Sequence, residues 1–185
     1  MYGIENEIYL GGYIPGGDKE TYAKEIWDWM IDNGIRSVLD VGCGEGYAVK
    51  YFIDNNCYAV GVEGGTNAIN NSPVKNHLIQ HDYTRGPYIS NMNYDAIWCC
   101  EFVEHVDKKF EYNFLQTFKM GKTIFLTHAV PGQSGFHHVN CQNAEYWISK
   151  MKDINYSFNE TLSLYLRKIS KASHTKRLLV FNQVL

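Results

Sequence analysis

A ten-residue stretch decides the fold of this chain: Ser37-Val38-Leu39-Asp40-Val41-Gly42-Cys43-Gly44-Glu45-Gly46. It reads as a buried strand that ends in an acidic residue, followed by a glycine-rich turn and the start of a helix. Strands buried on both faces are nearly continuous in apolar residues, as residues 35–41 are apart from three positions. Glycine lets the backbone turn tightly and approach a ligand closely, which a Cβ would prevent. The stretch therefore predicts a nucleoside-type ligand at the carboxyl edge of an α/β sheet.

Length and composition are those of one globular domain. The chain has 185 residues, of which 45 % are hydrophobic and 20 % charged. We expect a single domain over residues 1–185, with the glycine-rich residues 1–17 as an irregular lead-in or lid. The sequence has neither an apolar run of about 18 residues nor a basic, apolar leader, so we expect no transmembrane helix and no signal peptide.

Net charge and cysteine spacing limit the classes of binding partner and the cellular compartment that we expect. The five cysteines are scattered without CxxC spacing, which favours reduced thiols in the cytoplasm and no zinc site. The net charge of −3 gives no global attraction to nucleic acid or to an anionic membrane. The basic residues between Arg167 and Arg177 are best explained as a solvated helix end. We expect a monomer or homodimer that acts on a small molecule.

Strands alternate with helices along the chain at the spacing of βαβ units. The predicted strands are residues 35–41, 57–62, 75–80, 94–100, 122–127, 155–158 and 177–182. The predicted helices are residues 18–33, 45–55, 66–71, 108–120, 142–151 and 160–171. Right-handed crossovers then give a three-layer α/β/α sandwich around a doubly wound, mostly parallel seven-stranded sheet. We expect the last strand to pair antiparallel.

An acidic residue lies at or just after the end of each of four successive predicted strands: Asp40, Glu63, Asp82 and Glu101. In open α/β sheets the ligand lies outside the carboxyl ends of the strands. Glu63 comes about 20 residues after the glycine turn, where a carboxylate accepts hydrogen bonds from a ribose diol. Asp40 and Glu45 make the turn negative, which disfavours the pyrophosphate of NAD or FAD and favours a cationic sulfonium that carries an amino group.

Four motifs occur in order over residues 35–105. Residues 38–46 form the first, Glu63 and Asp82 follow the second and third strands, and residues 94–105 form the fourth. Together they resemble the motifs of the class I S-adenosylmethionine-dependent methyltransferases, a Rossmann-like family that includes the type 11 and type 12 methyltransferases. The resemblance implies S-adenosylmethionine as cofactor and S-adenosylhomocysteine as product.

The resemblance also implies a set of cofactor contacts. Glu63 would bind the ribose, Asp82 would meet the adenine amino group, and the end of the fourth strand would lie beside the methionine moiety. The residues implied are Asp40, Gly42, Cys43, Gly44, Glu63, Gly64, Asp82, Tyr83, Cys100 and Glu101. Two purely structural alternatives stay open, because glycines 42 and 44 could serve only a tight turn and Asp82 could cap a short helix.

This sequence departs from the family at one position. The residue after the ribose-binding acid is usually bulky and apolar, so that it packs on the adenine, but here it is Gly64. The apolar face must therefore come from elsewhere, and Tyr83 is the candidate.

The loop of residues 128–140 carries the candidate catalytic groups. Methyl transfer from a sulfonium is an in-line displacement, and it needs a base only when the acceptor is a hydroxyl or a protonated amine. His137 and His138 are our candidates for that base, with His128 and Asn140 nearby. A structural role for the two histidines stays open.

A metal-dependent alternative rests on a second resemblance. Glu101-x-x-Glu104-His105 with a later histidine resembles the metal site of the small-RNA 2′-O-methyltransferases. The same Glu-His pair is widespread in metal-free methyltransferases, and the chain has no broad basic face for RNA. We therefore expect no metal.

The expected acceptor is a small polar molecule. The chain reads as a minimal core, so the acceptor pocket must come from residues 1–17 and the 128–140 loop, with Tyr13 and Phe136. We expect O- or N-methylation of a metabolite or sugar-like substrate. Three alternatives remain: a non-catalytic cofactor-binding module that supports a partner subunit, a metal-assisted RNA 2′-O-methyltransferase, and transfer of another group from a related sulfonium at the same site.

Overall fold

The computed structural model describes residues 3–4 and 8–184. The strands of the main sheet are β1 Ser37–Val41, β2 Tyr58–Glu63, β3 Leu78–Gln80, β4 Tyr94–Cys99, β5 Gly121–Leu126, β6 Tyr156–Phe158 and β7 Leu179–Gln183. The helices are α1 Lys24–Asp32, α2 Tyr47–Asp54, α3 Thr66–Asn71, α4 Glu111–Phe118, α5 Ala144–Asp153 and α6 Glu160–Ile169. Among the described residues, no helix has both the length and the apolar character that crossing a bilayer requires.

The sheet has seven strands in the order β3-β2-β1-β4-β5-β7-β6. The five strands from β3 to β5 in this order pair parallel, while β7 runs antiparallel to both β5 and β6. The doubly wound sandwich and the antiparallel last strand are thus confirmed. The strand order reverses between β1 and β4, so the carboxyl ends of these two strands flank the crevice in which such folds bind ligands.

Two apolar cores cover the two faces of the sheet. On one face Phe114 of α4 and Trp147 of α5 pack against residues such as Leu39. On the other face Trp27 of α1 and Phe52 of α2 pack with the rest of the second core. Truncating one of these buried aromatic side chains to alanine costs about 3–5 kcal/mol in comparable cores. The cores hold the strand ends, and therefore the acidic residues that follow them, in fixed positions.

Several predicted boundaries were wrong for local reasons. The first helix begins at Lys24 and not at residue 18, because the Asp18 carboxylate caps a turn by accepting the N–H of Glu20 at 2.9 Å. The third strand is short because Lys75–His77 forms a 3₁₀ turn before it. The fourth predicted helix likewise opens with a 3₁₀ turn at Lys108–Phe110.

The predicted irregular lead-in lies over the carboxyl edge of the sheet. Part of it, residues 1–2 and 5–7, falls outside the described residues. Gly12–Tyr13 pairs antiparallel with Gly3–Ile4. The N–H of Gly16 donates to the Glu45 carboxylate at 2.9 Å, and the Tyr13 hydroxyl accepts from the Asn71 amide at 2.9 Å. The segment is thus attached both to the glycine turn and to α3, and its role as a lid stays a prediction.

Candidate cofactor and acceptor site

A cavity of about 750 Å³ opens at the carboxyl edge of the sheet. This volume lies within the usual range of small-molecule sites, roughly 300–1,000 Å³. All ten predicted cofactor contacts and both predicted catalytic histidines line it. Its remaining walls come from the lead-in segment and from the loop of residues 133–139. The fold therefore brings to one cavity residues that lie far apart in the sequence.

Glu63 ties two turns together at the end of β2. One carboxylate oxygen accepts the N–H of Gly44 at 2.8 Å, and the other accepts the N–H of Gly65 at 2.8 Å. Glu63 also lines the cavity, where a carboxylate is a suitable acceptor for the hydroxyls of a ribose. The same residue can thus shape the glycine turn and contact a ligand.

The glycines of the turn have different surroundings. Gly42 has a φ of 76°, and a Cβ there would lie 2.3 Å from Cδ2 of Phe102. The fold itself therefore requires glycine at this position, whatever the cavity binds. Gly44 has a φ of 53°, but the nearest atom to an added Cβ is 3.9 Å away, in Tyr13. The space beside Gly44 faces the cavity.

Asp40 is an acid held in an apolar setting. Its side chain is buried at the end of β1. Burial, and then the negative charge of Glu63, raise the pKa of Asp40 well above its ordinary value. A cationic group placed beside this carboxyl would favour its ionised form.

Asp82 is engaged by its own turn. One of its oxygens accepts from the N–H and the hydroxyl of Thr84, at 2.8 and 2.7 Å, and the other accepts from the Tyr9 hydroxyl at 3.2 Å. Burial alone would raise the pKa of Asp82, but the hydrogen bonds from Thr84 and Tyr9 and the charge of Arg85 together outweigh it and the pKa is lowered. The turn-capping role left open by the sequence is thus present, and Asp82 also faces the cavity.

The apolar face beside Gly64 comes from a residue that the sequence did not single out. A Cβ on Gly64 would lie 2.9 Å from Cδ2 of Leu10. Tyr83 is only 5 % exposed and packs edge-on against Phe102, with ring centroids 5.5 Å apart. Tyr83 thus borders the cavity from its buried side, and Leu10 occupies the position over Gly64. A lone leucine in an irregular segment carries no spacing signal that would reveal this.

Glu101 lies beside basic residues from the end of the chain. It has a φ of 51°, and its carboxylate accepts from the Thr127 hydroxyl at 2.8 Å. Its other oxygen is 2.9 Å from His174 Nδ1 and 3.8 Å from Arg177. The hydrogen bond to Glu101 raises the pKa of His174. In Glu101 itself burial acts to raise the pKa, but His174, Thr127 and Arg177 together outweigh it and the pKa is lowered. The interpretation of this basic run as a solvated helix end was wrong for these two residues.

Three histidines from two segments meet at the other end of the cavity; we call His105, His137 and His138 the histidine edge. The rings of His105 and His138 are 5.0 Å apart between centroids. The Nδ1–H of His138 donates to the carbonyl of Gln133 at 3.1 Å. Burial, and then His138, lower the pKa of His105 to about 4. This is the part of the cavity where imidazole nitrogens can contact an acceptor.

The two other residues considered on the 128–140 loop lie away from this edge. His128 is buried, and its carbonyl accepts from Arg177 Nε at 2.9 Å. Asn140 donates its amide to the buried carboxylate of Glu111 at 2.9 Å. Both residues have structural partners outside the cavity wall, so they are not candidates for contact with substrate.

Comparison with known proteins gives a family match in the central part of the chain. Residues 39–119 match the family model of a methyltransferase domain. The match begins within β1 and ends just after α4, so it spans the glycine turn and the three acidic strand ends that follow it. A comparison with curated proteins gives no match.

Solved structures of methyltransferases share the fold of this chain. The sugar N-methyltransferase KedS8 from Streptoalloteichus sp. ATCC 53650 is 13 % identical, with 92 % of this chain and 90 % of that chain covered and a TM-score of 0.69. Magnesium protoporphyrin IX methyltransferase from Synechocystis PCC 6803, solved with bound S-adenosylhomocysteine, is 12 % identical over 87 % of this chain and 81 % of that chain, with a TM-score of 0.63. The methyltransferase domain of bacterial CtHen1-C is 14 % identical over 90 % of this chain and 98 % of that chain, with a TM-score of 0.61.

S-adenosylhomocysteine is bound in the magnesium protoporphyrin IX methyltransferase that shares this fold. The cavity of this chain fits such a molecule in its chemistry: a carboxylate in the wall at Glu63, open space beside Gly44, and a buried acid at Asp40. The hydroxyls of an adenosine ribose can donate to the Glu63 carboxylate, and the space beside Gly44 allows a ligand to approach the backbone closely. The cationic amino group of the methionine moiety suits the Asp40 carboxylate.

Proposed function

We propose that this chain is an S-adenosylmethionine-dependent methyltransferase that methylates a hydroxyl or amine of a small polar acceptor, such as a metabolite or a sugar-like molecule. The observation that carries this proposal is the composition of the cavity beyond the glycine turn. Within the described residues, the 133–139 loop carries Phe136 and two residues of the histidine edge in the cavity wall, and the lead-in segment reaches this edge at Gly11, where an added Cβ would lie 3.5 Å from the Cβ of His105. Two short segments make a compartment of molecular size, in contrast to an extended surface for a macromolecule.

Charge supports the same acceptor class. The chain carries a net charge of −3, and four carboxylates follow the strands at this edge of the sheet. A nucleic acid would meet these acids at the site of reaction, and its phosphates need clustered lysines and arginines to bind. A sugar or amine metabolite can bind without clustered lysines and arginines. The similarity of fold to a sugar N-methyltransferase is consistent with this class of acceptor.

The cofactor contacts proposed for this chain follow the geometry of the cavity. Asp40 is proposed to hold the methionine amino group and Glu63 the ribose hydroxyls, while Asp82 faces the adenine. The remaining proposed contacts are Gly42, Cys43, Gly44, Gly64, Tyr83, Cys100 and Glu101. Leu10 is added to this set because its side chain lies over Gly64.

Positioning does most of the chemical work in this reaction. S-adenosylmethionine supplies a methyl group on a cationic sulfur, which is an electrophile without further activation. The chain has to align the acceptor atom with the methyl–sulfur bond and to take up a proton when the acceptor is a hydroxyl or protonated amine. His137 and His138 lie at the edge where this proton would be released. His138 donates its Nδ1–H to the carbonyl of Gln133, so the Nε2 atom of His138 carries a lone pair that can accept a proton.

An acceptor screen that measures S-adenosylhomocysteine tests the proposal. The panel contains sugars, amino sugars, hydroxylated and amine metabolites, and short RNA oligonucleotides. We expect turnover with a small polar acceptor, with kcat lowered by His137→Ala or His138→Ala when that acceptor is a hydroxyl. Methylation of RNA alone, or of a protein partner alone, would contradict the proposal.

A further inference from the structure

A buried carboxylate lies behind the histidine edge. Glu111, the first residue of α4, is 3 % exposed and accepts the side-chain amide of Asn140 at 2.9 Å. The hydroxyl of Tyr146, on α5, lies 2.8 and 2.7 Å from the two Glu111 oxygens, and Lys150 Nζ is 3.3 Å from one of them. We call these four residues the Glu111 cluster. All four belong to the described part of the chain and lie outside the cavity wall.

We propose that Asn140 and Glu111 are positioning residues, which hold the histidine edge in the geometry that methyl transfer requires. The inference rests on the proposed function, because it assigns the two residues a part in that reaction. They act through His137 and His138 and make no contact with cofactor or acceptor. The bonds that anchor Asn140, the backbone of His137 and the packing of His138 support this role.

Asn140 anchors the end of the loop that carries two of the histidines. It is only 2 % exposed, so the chain enters the interior of the protein at this residue. Its side-chain amide donates to Glu111, and its side-chain oxygen accepts from the Gln142 amide at 3.0 Å. Its backbone N–H donates to the carbonyl of Glu104 at 3.0 Å. Both the side chain and the backbone are thus fixed two residues after His138.

The carbonyl of Glu104 joins the two segments of the histidine edge. It accepts the N–H groups of Val139 and Asn140 at 2.9 and 3.0 Å, and the next residue along the chain is His105. The 3₁₀ turn that contains Glu104 and His105 is thereby attached to the end of the 133–139 loop. A shift of Asn140 would therefore change the position of one segment relative to the other.

The backbone of His137 depends on support from its surroundings. Its φ is 51°, in the left-handed region that residues with a Cβ rarely adopt. Such conformations persist where the surrounding contacts impose them, and they cluster at functional sites. The Asn140 anchor lies three residues downstream, and the bond from His138 Nδ1–H to the Gln133 carbonyl closes the loop on its other side at 3.1 Å. We infer that the anchor is one of the contacts that keep His137 in this conformation.

The ring of His138 has little room to adjust when the loop moves. A Cβ on Gly135 would lie 2.2 Å from His138 Nε2, so the ring occupies space that only glycine leaves open. Nε2 is also the atom that can take up the proton of the acceptor. A displacement of about 1 Å at a reacting group can lower a rate roughly a hundredfold. We therefore expect the position of Asn140 to affect kcat.

Glu111 keeps the Asn140 amide in place because its carboxylate is itself fixed. Buried polar networks whose members all have partners rigidify their surroundings and favour a single arrangement. The ring of Tyr146 is held between two lysines, with Lys108 Nζ 4.7 Å and Lys150 Nζ 5.2 Å from its centroid. An apolar side chain at position 111 would fill the same space without fixing the direction of the Asn140 amide.

Imidazole NMR of ¹⁵N-histidine-labelled protein tests this role without an acceptor. At about pH 8, where an ordinary imidazole is neutral, we expect wild-type His138 to carry its proton on Nδ1. Asn140→Ala and Glu111→Ala should each give a mixture of the two tautomers at His138. Glu111→Gln should restore the wild-type signal, because its amide oxygen can still accept from Asn140.

Ser163→Ala is the matched control for a general loss of stability. The buried hydroxyl of Ser163, on α6, donates to the Asn159 carbonyl at 2.7 Å and accepts the Val180 N–H at 2.9 Å. Its removal should lower the midpoint of urea unfolding and leave the His138 signal and kcat unchanged.

Steady-state kinetics with a hydroxyl acceptor from the screen give the second readout. Asn140→Ala should lower kcat roughly ten- to hundredfold, while its calorimetric affinity for S-adenosylhomocysteine stays that of the wild type. Gly135→Ala displaces the His138 ring directly and should give a loss of the same kind. Glu111→Gln should recover most of the rate that Glu111→Ala loses.

Two results would overturn the inference: a His138 signal in Asn140→Ala identical to that of the wild type, or a loss of kcat in Ser163→Ala as large as in Asn140→Ala. Tyr146→Phe removes a single hydroxyl from the Glu111 cluster, so it keeps the test valid if the alanine variants do not fold. It should shift the His138 signal in the same direction, and an unchanged signal would then overturn the inference. A wild type that methylates no acceptor counts against the proposed function alone, since the NMR comparison uses no acceptor.

Discussion

The carboxylate of Glu63 accepts a hydrogen bond from the backbone N–H of Gly44 at 2.8 Å, so the end of β2 is tied to the turn that follows β1. Its second oxygen makes an equally short bond to Gly65 N–H. The residue proposed to bind the ribose thus also sets the shape of the turn beside which the cofactor lies. We therefore expect a change at Glu63 to alter both the stability of the fold and the affinity for the cofactor.

Glu63→Gln should lower both stability and cofactor affinity. The glutamine amide group would present N–H to a backbone N–H, so one of the two charge-assisted bonds is lost at a cost of about 1–3 kcal/mol. Urea unfolding measures the first effect and calorimetric titration with S-adenosylhomocysteine measures the second. Glu145→Gln, on the exposed face of α5, is the matched control and should change neither. Unchanged stability of Glu63→Gln would show that the two turns hold their shape without the carboxylate.

Asp40→Asn should stabilise the cofactor-free protein at neutral pH while weakening cofactor binding. Burial and Glu63 raise the folded-state pKa of Asp40 above the ordinary value of 3.8. The native state therefore binds more protons than the unfolded state, so the contribution of Asp40 to stability falls as pH rises above that ordinary value. In Asp40→Asn this pH-dependent loss of stability is absent. The negative charge that is proposed to hold the amino group of the cofactor is absent as well.

Thermal unfolding of wild type and Asp40→Asn between about pH 4 and pH 8 checks the sign. The advantage of the variant should grow with pH in the absence of cofactor, and S-adenosylhomocysteine should stabilise the wild type more than the variant. A variant that is less stable than the wild type throughout this range would contradict the account.

Asp95→Asn should make the protein less stable at neutral pH but not in acid. The Asp95 carboxylate accepts from Lys122 Nζ at 2.8 Å and from the N–H groups of Arg36 and Ser37 at 3.1 and 3.2 Å. Lys122 is the main cause of its lowered pKa, so the stabilisation is complete above the ordinary aspartate pKa and is lost as pH falls through the folded-state pKa. We expect a loss of about 1 kcal/mol at neutral pH in urea unfolding, because Asp95 is partly exposed. A difference that persists undiminished in acid would contradict this assignment.

Gly42→Ala should destabilise the fold more than its backbone conformation alone requires. A methyl group there overlaps the ring of Phe102, in addition to the strain of a φ of 76°. Gly34→Ala is the matched control, since its φ is 88° and no atom lies within 4 Å of the added Cβ among the described residues. Measured by urea unfolding, the excess loss should shrink when Phe102 is also replaced by alanine, because the two sites are coupled. Equal losses of stability in Gly42→Ala and Gly34→Ala would show that the Phe102 ring moves aside freely.

Leu10→Ala should weaken the binding of S-adenosylhomocysteine without loss of fold. Leu10 lies over Gly64, where the family usually places a bulky apolar residue against the adenine. Removal of such a contact is worth about 1 kcal/mol, or roughly fivefold in the dissociation constant. Ile8→Ala, in the same segment but 61 % exposed, should bind normally in calorimetry. Equal affinities for both variants would place the adenine away from Leu10.

The sheet, and the convergence of the four acids on one cavity at its carboxyl edge, were predictable because their signals are local. The run from Val38 to Gly46 carries its own strand, turn and helix start, and each later acid closes a recognisable strand. Leu10 was not predictable, since its position depends on how an irregular segment folds back. Nor was His174, whose basic neighbours suggest a solvated helix end in the sequence. Both cases depend on long-range contacts that no local pattern records.

The histidine edge was also only partly predictable from the sequence. The Glu104-His105 pair was visible in the sequence, but its approach to His138 depends on the backbone bonds that residues 139 and 140 make to Glu104. The lack of hydrogen-bond partners for the Glu104 oxygens, within the described residues, also appears only after folding. A motif thus indicates which groups are available, and the tertiary structure decides which of them meet.

A crystal structure of the complex with S-adenosylhomocysteine tests the central claim most directly. The account predicts the ligand in the 750 Å³ cavity, with the ribose hydroxyls on Glu63, the amino group at Asp40 and the adenine beside Leu10. The sulfur should then point toward the histidine edge. A ligand bound outside this cavity, or within it with the ribose away from Glu63, would contradict the account.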